Sequence, residues 1–196
     1  MQDSTSSAVR LFRREAASRV LGPGTRAVLW VQGCSLACPG CLVPQSWPLR
    51  RSDTLEMSVQ EVSQWLLSIP EIEGVTLSGG EPMQQAGLLA EVLRQVRPHR
   101  DLGVVCYTGY RYEALRLPSQ KALLEHVDLL IDGPYRQDLH ADLLWRASSN
   151  QRLLCLTNRY VLPADRSAGL EWSFQPDGRM AFAGVPPWPD YVASLS

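Results

Sequence analysis

The stretch AVLWVQGCSLACPGC, residues 27–41, joins a continuous apolar run to three cysteines in the spacing Cys-x3-Cys-x2-Cys. The run AVLWV, residues 27–31, has no polar residue, which is typical of a strand buried on both faces of a sheet. Cys34, Cys38 and Cys41 follow this strand within a short distance along the chain. We therefore expect the three thiols to lie together just past the end of a buried strand.

Four kinds of site bring cysteines together: a disulfide, a zinc site, a redox dithiol and an iron–sulfur cluster. A disulfide is disfavoured by the odd total of five cysteines and by the reducing compartment inferred below. Structural zinc usually takes four ligands, and the fourth would have to be Cys106 or a histidine distant in sequence. A redox dithiol needs only CPGC and leaves Cys34 unexplained. Three thiolates from one loop favour an iron–sulfur cube that keeps one iron open.

The overall composition excludes several classes of partner. The chain has 196 residues and a net charge of −1, so it has no bulk attraction to nucleic acid or to an anionic membrane. The N-terminal residues do not resemble a signal peptide, and no apolar run approaches the roughly 20 residues of a membrane helix. We expect a cytoplasmic protein with a single domain over residues 1–196, its core at about 9–160 and an appendage at about 161–196.

Apolar strands alternate with amphipathic helices along the chain, which predicts an α/β fold with a mainly parallel sheet. Residues 42–54 are expected to form a loop, and a C-terminal hairpin is expected around Asp177-Gly178. The predicted strands are 8–21, 27–31, 74–78, 102–108, 127–132 and 152–157.

Local signals predict where the helices begin. Ser58 and Glu61 match a capping box ahead of a first helix. Pro82 suits the first turn of a second helix, residues 111–117 are expected as a short helix, and Ser119 is expected to cap another helix.

Sites in parallel α/β folds gather at the carboxyl ends of the strands. Cys106 and Cys155 lie inside apolar strands instead, where cysteine usually behaves as a small hydrophobic residue. Four residues are expected at or just past strand ends, and therefore at one site: Cys34, Gly79, Thr108 and Asp132.

The cysteine motif after a first strand resembles the signature of radical S-adenosylmethionine enzymes. The segment SGGEP, residues 78–82, ends the next predicted strand and resembles the segment with which that family grips the methionyl amino group of the cofactor. Taken alone, SGGEP could be a tight turn whose glycines supply backbone freedom. Its position one strand after the cysteine motif favours the cofactor-binding interpretation.

Further segments resemble the activating enzymes of glycyl-radical proteins, in particular those of anaerobic ribonucleotide reductases. As in the short activases, Gly40 stands where many superfamily members have an aromatic residue against adenine, so that a backbone contact would substitute. Two positions depart from the pattern: Val43-Pro44 replaces Asn-Pro, and Pro134 stands where some relatives carry a lysine. The matching segments occur in the same order as in that group: GCSLACPGCLVPQSW (33–47), YTGYRYEAL (107–115), DLLIDGPY (128–135) and SSNQR (148–152).

The resemblance implies an open partial (β/α) barrel with a short N-terminal strand and a C-terminal hairpin. It also implies that Cys34, Cys38 and Cys41 are catalytic and hold one [4Fe–4S] cluster. Asp132 could instead be only a turn residue, and Asn150 only a loop residue. The contacts to S-adenosylmethionine that the resemblance implies are Gly40, Gly79, Gly80, Glu81, Thr108, Asp132 and Asn150.

The implied reaction is reductive cleavage of S-adenosylmethionine to a 5′-deoxyadenosyl radical, which generates a glycyl radical on a partner enzyme of the ribonucleotide reductase type. A flavodoxin or a ferredoxin-like protein is the expected electron donor. The alternative is a stand-alone radical enzyme that modifies a peptide or a small metabolite. An electron carrier is a third interpretation, but it leaves SGGEP without a role.

Overall fold

Four parallel strands form the centre of a seven-stranded sheet in the computed structural model, which describes residues 8–174 and 180–189. The predicted α/β fold with a large, mostly parallel sheet is therefore confirmed. The parallel strands are β2 (Arg26–Val31), β4 (Gly74–Gly79), β5 (Gly103–Thr108) and β6 (Leu129–Asp132).

Antiparallel strands extend this centre on both sides. The strand order is β3-β1-β2-β4-β5-β6-β9, with β1 (Ala8–Ser18) and β3 (Leu55–Ser58) at one edge and β9 (Arg152–Cys155) at the other. The N-terminal strand has 11 residues and is not short, because it pairs with β2 on one side and with β3 on the other. β3 lies beyond the predicted 42–54 loop and was not predicted.

Three helices cover one face of the sheet: α1 (Val59–Ser68), α2 (Ala86–Val96) and α3 (Pro118–Leu124). The predicted capping box of α1 is confirmed, since the Glu61 amide donates to the Ser58 hydroxyl at 3.2 Å and the Ser58 amide donates to the Glu61 carboxylate at 2.7 Å.

Other helix predictions are corrected by the structure. Pro82 opens a 3-10 turn, Pro82–Gln84, and α2 begins only at Ala86. The Met83 amide is held by the Glu81 side chain at 2.9 Å, which favours a tight turn there. Residues 111–117 form only a 3-10 turn, and Ser119 lies inside α3 rather than capping it.

The strands alternate between two cores. Leu77 and Cys106 face the helices, whereas Trp30, Val105 and Tyr107 belong to the opposite face of the sheet. Two hairpins pack on that opposite face, an unpredicted one of β7 (His140–Leu143) with β8 (Arg146–Ser148), and the predicted one of β10 (Leu170–Phe174) with β11 (Met180–Gly184). The predicted turn at Asp177-Gly178 lies outside the described residues.

Arg26 closes the amino end of this hairpin-covered face. Its side chain is fully buried, and its guanidinium donates to the Thr76 hydroxyl at 2.8 Å, the Val75 carbonyl at 2.8 Å and the Gly103 carbonyl at 2.6 Å. Burial lowers the pKa of Arg26, and these neutral acceptors compensate the buried charge with hydrogen bonds.

Candidate active site

A cavity of about 930 Å³ lies on the hairpin-covered face, at the carboxyl ends of the parallel strands. This volume is within the range of small-molecule and cofactor sites. Three of the predicted residues, Gly40, Asp132 and Asn150, are not part of its wall. The other predicted residues are brought together along it: Cys34, Cys38, Cys41, Gly79, Gly80, Glu81 and Thr108.

The loop that carries the three cysteines is anchored to the segment that follows it. The Gly33 amide donates to the Ser46 carbonyl at 2.7 Å, and the Cys34 amide donates to the Trp47 carbonyl at 3.0 Å. Gly33 has φ +105°, a left-handed conformation that favours glycine. This turn leads the chain out of β2, so that the thiols reach the cavity wall.

Each of these three thiols accepts a main-chain hydrogen bond. Burial raises the pKa values of Cys34 and Cys38, and the hydrogen bonds oppose this shift because they stabilise the thiolate. The donors are the amides of Leu36 and Ala37 for Cys34, of Tyr135 and Cys38 for Cys38, and of Val43, at 3.5 Å, for Cys41.

The donor set fits an iron–sulfur cluster better than a single metal ion. Within residues 8–174 and 180–189, no three His, Cys, Asp or Glu side chains form a group that could hold one metal ion. A cluster is held differently, because separate irons each take a cysteine thiolate. Three thiols on the wall of one large cavity suit that arrangement. Cys106 is buried on the helix side, and Cys155 is exposed and does not line the cavity.

Gly79 and Gly80 are required because the SGGEP turn closely approaches the end of β2 and the base of the cysteine loop. A Cβ on Gly79 would lie 2.7 Å from the Val31 amide nitrogen, and one on Gly80 would lie 2.4 Å from the Gly33 carbonyl oxygen. The Gly80 amide donates to the Val31 carbonyl at 2.8 Å, and the Glu81 amide donates to the Gly33 carbonyl at 2.9 Å. The turn therefore packs its backbone directly against the base of the cysteine loop.

The carboxylate of Glu81 is occupied inside the protein. It accepts hydrogen bonds from the Met83 amide at 2.9 Å, the Thr108 hydroxyl at 2.8 Å and the Gly109 amide at 2.8 Å. Burial raises the pKa of Glu81 to about 7, and these hydrogen bonds oppose the shift. The Thr108 hydroxyl also accepts from the Tyr110 amide at 3.2 Å. Glu81 and Thr108 thus join the ends of β4 and β5 to each other.

Asp132 is fully buried beside the cavity, and its carboxylate is also occupied. It pairs with the Arg152 guanidinium, whose Nε donates to Oδ1 at 2.8 Å, and it accepts from the Tyr112 amide at 2.7 Å. The Nη1 atom of Arg111 lies 3.7 Å from the Oδ1 atom of Asp132. These contacts tie β6 to β9 and to the 3-10 turn after β5.

Asn150 and Gly40 are not part of the cavity wall, and both lie against the loop that follows β6. The Asn150 Nδ2 atom donates to the Pro134 carbonyl at 2.8 Å, while its Oδ1 atom is buried and has no partner among the described residues. Gly40 has φ +70°, and a Cβ there would lie 2.4 Å from the Gln137 side chain. Gly40 therefore allows the cysteine loop to approach the post-β6 loop.

Several cavity residues were missed by the sequence analysis. Gln151 and Tyr135 line the wall. They were not predicted as site residues, although both lie in segments that resemble the family. The C-terminal hairpin supplies another part of the wall. Arg13 lies over the Trp30 ring at 3.8 Å and donates to the Phe182 carbonyl, which holds this hairpin on the sheet. No local pattern predicts a contact between residues so far apart in sequence.

Comparison with known proteins identifies the family. Residues 20–154 match the family model described as a 4Fe-4S single cluster domain. The proteins named anaerobic ribonucleoside-triphosphate reductase-activating protein are 35% identical over 139 residues in Enterobacteria phage T4 and 34% identical over 140 residues in Escherichia coli K12. The Vibrio cholerae protein of that name is 38% identical over 141 residues. These matches cover 68%, 67% and 67% of this chain and 86%, 89% and 88% of the relatives.

The crystal structure of QueE from Escherichia coli is a more distant likeness, with a TM-score of 0.42 and 13% identity over 65% of this chain and 70% of its own. Among residues 8–174 and 180–189, no helix has the length and apolar character needed to cross a membrane. The family match rests on the sequence relatives. The chain belongs to the family of anaerobic ribonucleoside-triphosphate reductase-activating proteins.

Proposed function

We propose that this chain is a radical S-adenosylmethionine enzyme that generates a glycyl radical on a partner ribonucleotide reductase. The observation that carries the proposal is one cavity wall that holds the three cysteine thiols beside Gly79, Gly80 and Glu81. The shared name of the relatives supports the reductase as the partner. When bound, a reduced [4Fe–4S] cluster and S-adenosylmethionine supply the 5′-deoxyadenosyl radical that abstracts the hydrogen atom.

Cys34, Cys38 and Cys41 would hold the cluster. Three protein ligands leave one iron of a cube for the amino and carboxylate groups of S-adenosylmethionine. The main-chain amides that point at the thiols support this role, because a hydrogen bond to a thiolate stabilises its charge. The apolar side chains that line much of the cavity would limit the access of water to the reacting groups.

The SGGEP turn would hold the methionyl end of the cofactor through its main chain. The amides of Gly80 and Glu81 already donate to Val31 and Gly33. The turn can therefore best offer carbonyl oxygens, and these suit the N–H donors of the cofactor's amino group. Glu81 and Thr108 act here as positioning residues that hold the turn against β5.

The remaining predicted residues would act through their neighbours. Gly40 lets the cysteine loop approach Gln137, and we assign it the main-chain contact beside adenine that the family resemblance implies. Asp132 fixes the end of β6 through Arg152. Asn150 holds the Pro134 carbonyl. These contacts give the three residues roles in shaping the site.

The mouth of the cavity has an apolar rim that suits a polypeptide substrate. Leu55, Trp172 and Met180 line the cavity and are 43%, 39% and 58% exposed, respectively. Phe174 lies on the same hairpin and is 79% exposed. Exposed apolar patches of this kind mark sites of protein interaction. We infer that the glycine-bearing loop of the reductase enters the cavity across this rim.

We further propose that the sheet is an open partial (β/α) barrel with the cavity on its inner face. The helices on the outer face and the parallel strands at its centre support this shape. Residues 1–196 would form a single domain, in which the 161–196 appendage contributes to the cavity wall. A flavodoxin or ferredoxin-like protein in the cytoplasm would deliver the electron, without nucleic-acid or membrane partners.

Anaerobic reconstitution followed by reduction tests the whole proposal. The protein is mixed with S-adenosylmethionine, with and without the large reductase of the same organism. A glycine-centred doublet in the electron paramagnetic resonance spectrum is expected only with the reductase, with 5′-deoxyadenosine formed in proportion to it. If 5′-deoxyadenosine forms with a modified peptide or metabolite, and the reductase carries no radical, the stand-alone enzyme is the correct assignment.

A further inference from the structure

One peptide unit lies between Asn150 and Cys38. The Asn150 Nδ2 atom donates to the carbonyl oxygen of Pro134 at 2.8 Å. The amide of the next residue, Tyr135, donates to the thiol of Cys38. This carbonyl and this amide belong to the same planar peptide group, and in a trans peptide they point in opposite directions. Asn150 and Cys38 therefore bind the two ends of a single dipole.

The segment around this peptide is held from several sides. The Gln151 side chain donates to the Gly133 carbonyl at 3.2 Å, and the Arg136 amide donates to the Ser148 hydroxyl at 3.3 Å. The Tyr135 hydroxyl lies 3.0 Å from Nδ1 of His140. Both neighbours of the Pro134–Tyr135 peptide are thus fixed, so its orientation depends on defined side chains and not on a free loop.

His140 connects the same segment to the C-terminal part of the chain. Its Nε2 atom lies 3.0 Å from the Pro186 carbonyl. A carbonyl can only accept, so Nε2 carries the proton, and in the neutral ring Nδ1 accepts from the Tyr135 hydroxyl. His140 therefore links Tyr135 to the C-terminal part of the chain.

Cys38 accepts from its own amide and, unlike the other two thiols, also from an amide outside the cysteine loop. Cys34 and Cys41 accept from amides of their own loop, Leu36, Ala37 and Val43. The Tyr135 amide comes from the segment after β6, almost a hundred residues further along the chain. Pro39 and Tyr135 also share a surface pocket, which shows independently that the two segments pack together.

We propose that Asn150 is a positioning residue that sets the reduction potential of the cluster by orienting the Pro134–Tyr135 peptide toward the Cys38 thiolate. Reduction adds negative charge to a cluster, so a hydrogen bond to a ligand sulfur stabilises the reduced form more than the oxidised form. The Asn150 hydrogen bond polarises the peptide and strengthens its amide as a donor. The inference rests on the proposed function, in which Cys38 is a cluster ligand.

The test is the midpoint potential of the reconstituted cluster, measured without S-adenosylmethionine and without the reductase. Asn150→Leu removes the donor to Pro134 without adding charge, and Asn150→Ser is the smaller second variant if the first does not fold. Asn158→Leu is the matched control, since Asn158 is exposed and lies outside the cavity wall. Iron and sulfide are counted in every sample.

Both Asn150 variants should keep a full cluster and shift its potential to more negative values, with a several-fold fall in the ratio of reduced to oxidised cluster at the wild-type midpoint. The control should keep the wild-type potential. An unchanged potential in folded, fully loaded Asn150 variants overturns the inference. If the same variants bind S-adenosylmethionine more weakly at that unchanged potential, Asn150 contacts the cofactor directly through its free Oδ1. A wild-type protein that holds no cluster would instead contradict the proposed function.

Discussion

The hydroxyl of Thr108, at the end of β5, donates a hydrogen bond at 2.8 Å to the carboxylate of Glu81, which lies just past the end of β4 and 27 positions earlier in the chain. Both residues were expected to contact the cofactor. The hydrogen bond shows that each side chain is already engaged with the other. They connect the end of β4 to the end of β5, and so they fix the position of the glycines beside the cysteine loop.

This buried carboxyl group predicts a pH dependence of stability. The pKa of Glu81 in the folded protein is about 7, above its ordinary value of 4.5. Because the folded protein binds this proton more tightly than the unfolded chain, the carboxyl group adds to the free energy of unfolding. This contribution is fully present below about pH 4.5 and is lost as the pH rises through 7. A shift of this size corresponds to roughly 3 kcal/mol in the free energy of unfolding. Urea denaturation at pH 5 and pH 8 measures the loss. Glu81→Gln has no titrating group at this position, so an equal pH dependence in wild type and variant would contradict the assignment.

Variants in which a single cysteine is replaced are expected to fall into two groups according to the iron content of the protein. Cys38→Ala should lose most of the cluster, because its thiol lies on the cavity wall. Cys106→Ala should keep it, because Cys106 is fully buried on the helix side of the sheet. The cost of Cys106→Ala should be about 1 kcal/mol of stability from lost core packing. Iron and sulfide are counted after anaerobic reconstitution, and a full cluster in Cys38→Ala would show that this thiol is not a ligand.

Gly80→Ala should act by disturbing the cysteine loop and not by contacting the cofactor. The added Cβ would lie 2.4 Å from the Gly33 carbonyl oxygen and 3.1 Å from the Ser46 carbonyl oxygen. We expect a loss of roughly 1–3 kcal/mol in stability, together with a lower iron content. Chemical denaturation and iron analysis measure the two effects.

Gly87→Ala is the matched control for this substitution. Gly87 lies in α2. The atom nearest to an added Cβ would be the Ser119 Cβ at 3.6 Å, which is an ordinary van der Waals contact. It should be neutral or gain roughly 0.5–1 kcal/mol from the better helix propensity of alanine. A Gly80→Ala protein with normal stability and iron content, but with weak binding of S-adenosylmethionine, would show that this position faces the cofactor instead.

Asp132→Asn is expected to act on stability and not on cofactor affinity. The substitution removes the charge that pairs with Arg152 while Asp132 remains fully buried. The thermal midpoint should fall by several degrees, and the dissociation constant for S-adenosylmethionine should stay close to that of the wild type. Asp101→Asn is a suitable control, because Asp101 pairs with Arg159 at the exposed surface. Weak cofactor binding at an unchanged thermal midpoint would show that Asp132 contacts the cofactor.

Local sequence was sufficient for the class of fold, the family and the thiol ligands proposed for the cluster. The apolar runs and the capping box at Ser58 and Glu61 are read within a few residues, because strand alternation and helix capping depend on neighbouring positions. The spacing of Cys34, Cys38 and Cys41 is likewise contained in one loop. The order of the motifs then identified the family without any knowledge of the sheet order.

Only the tertiary structure shows which partners the other predicted site residues have. Thr108 meets Glu81 and Asn150 meets Pro134 because the strands beside them become neighbours in the sheet. Arg13 meets the C-terminal hairpin because that hairpin packs on the face of the sheet. A polar residue at a strand end looks the same in the sequence whether its side chain faces a ligand or a neighbouring strand. Burial decides between these roles, since a buried polar group must find its hydrogen-bond partners wherever the fold places them. At Glu81, Thr108 and Asp132 those partners are inside the protein, and the cavity is shaped by them.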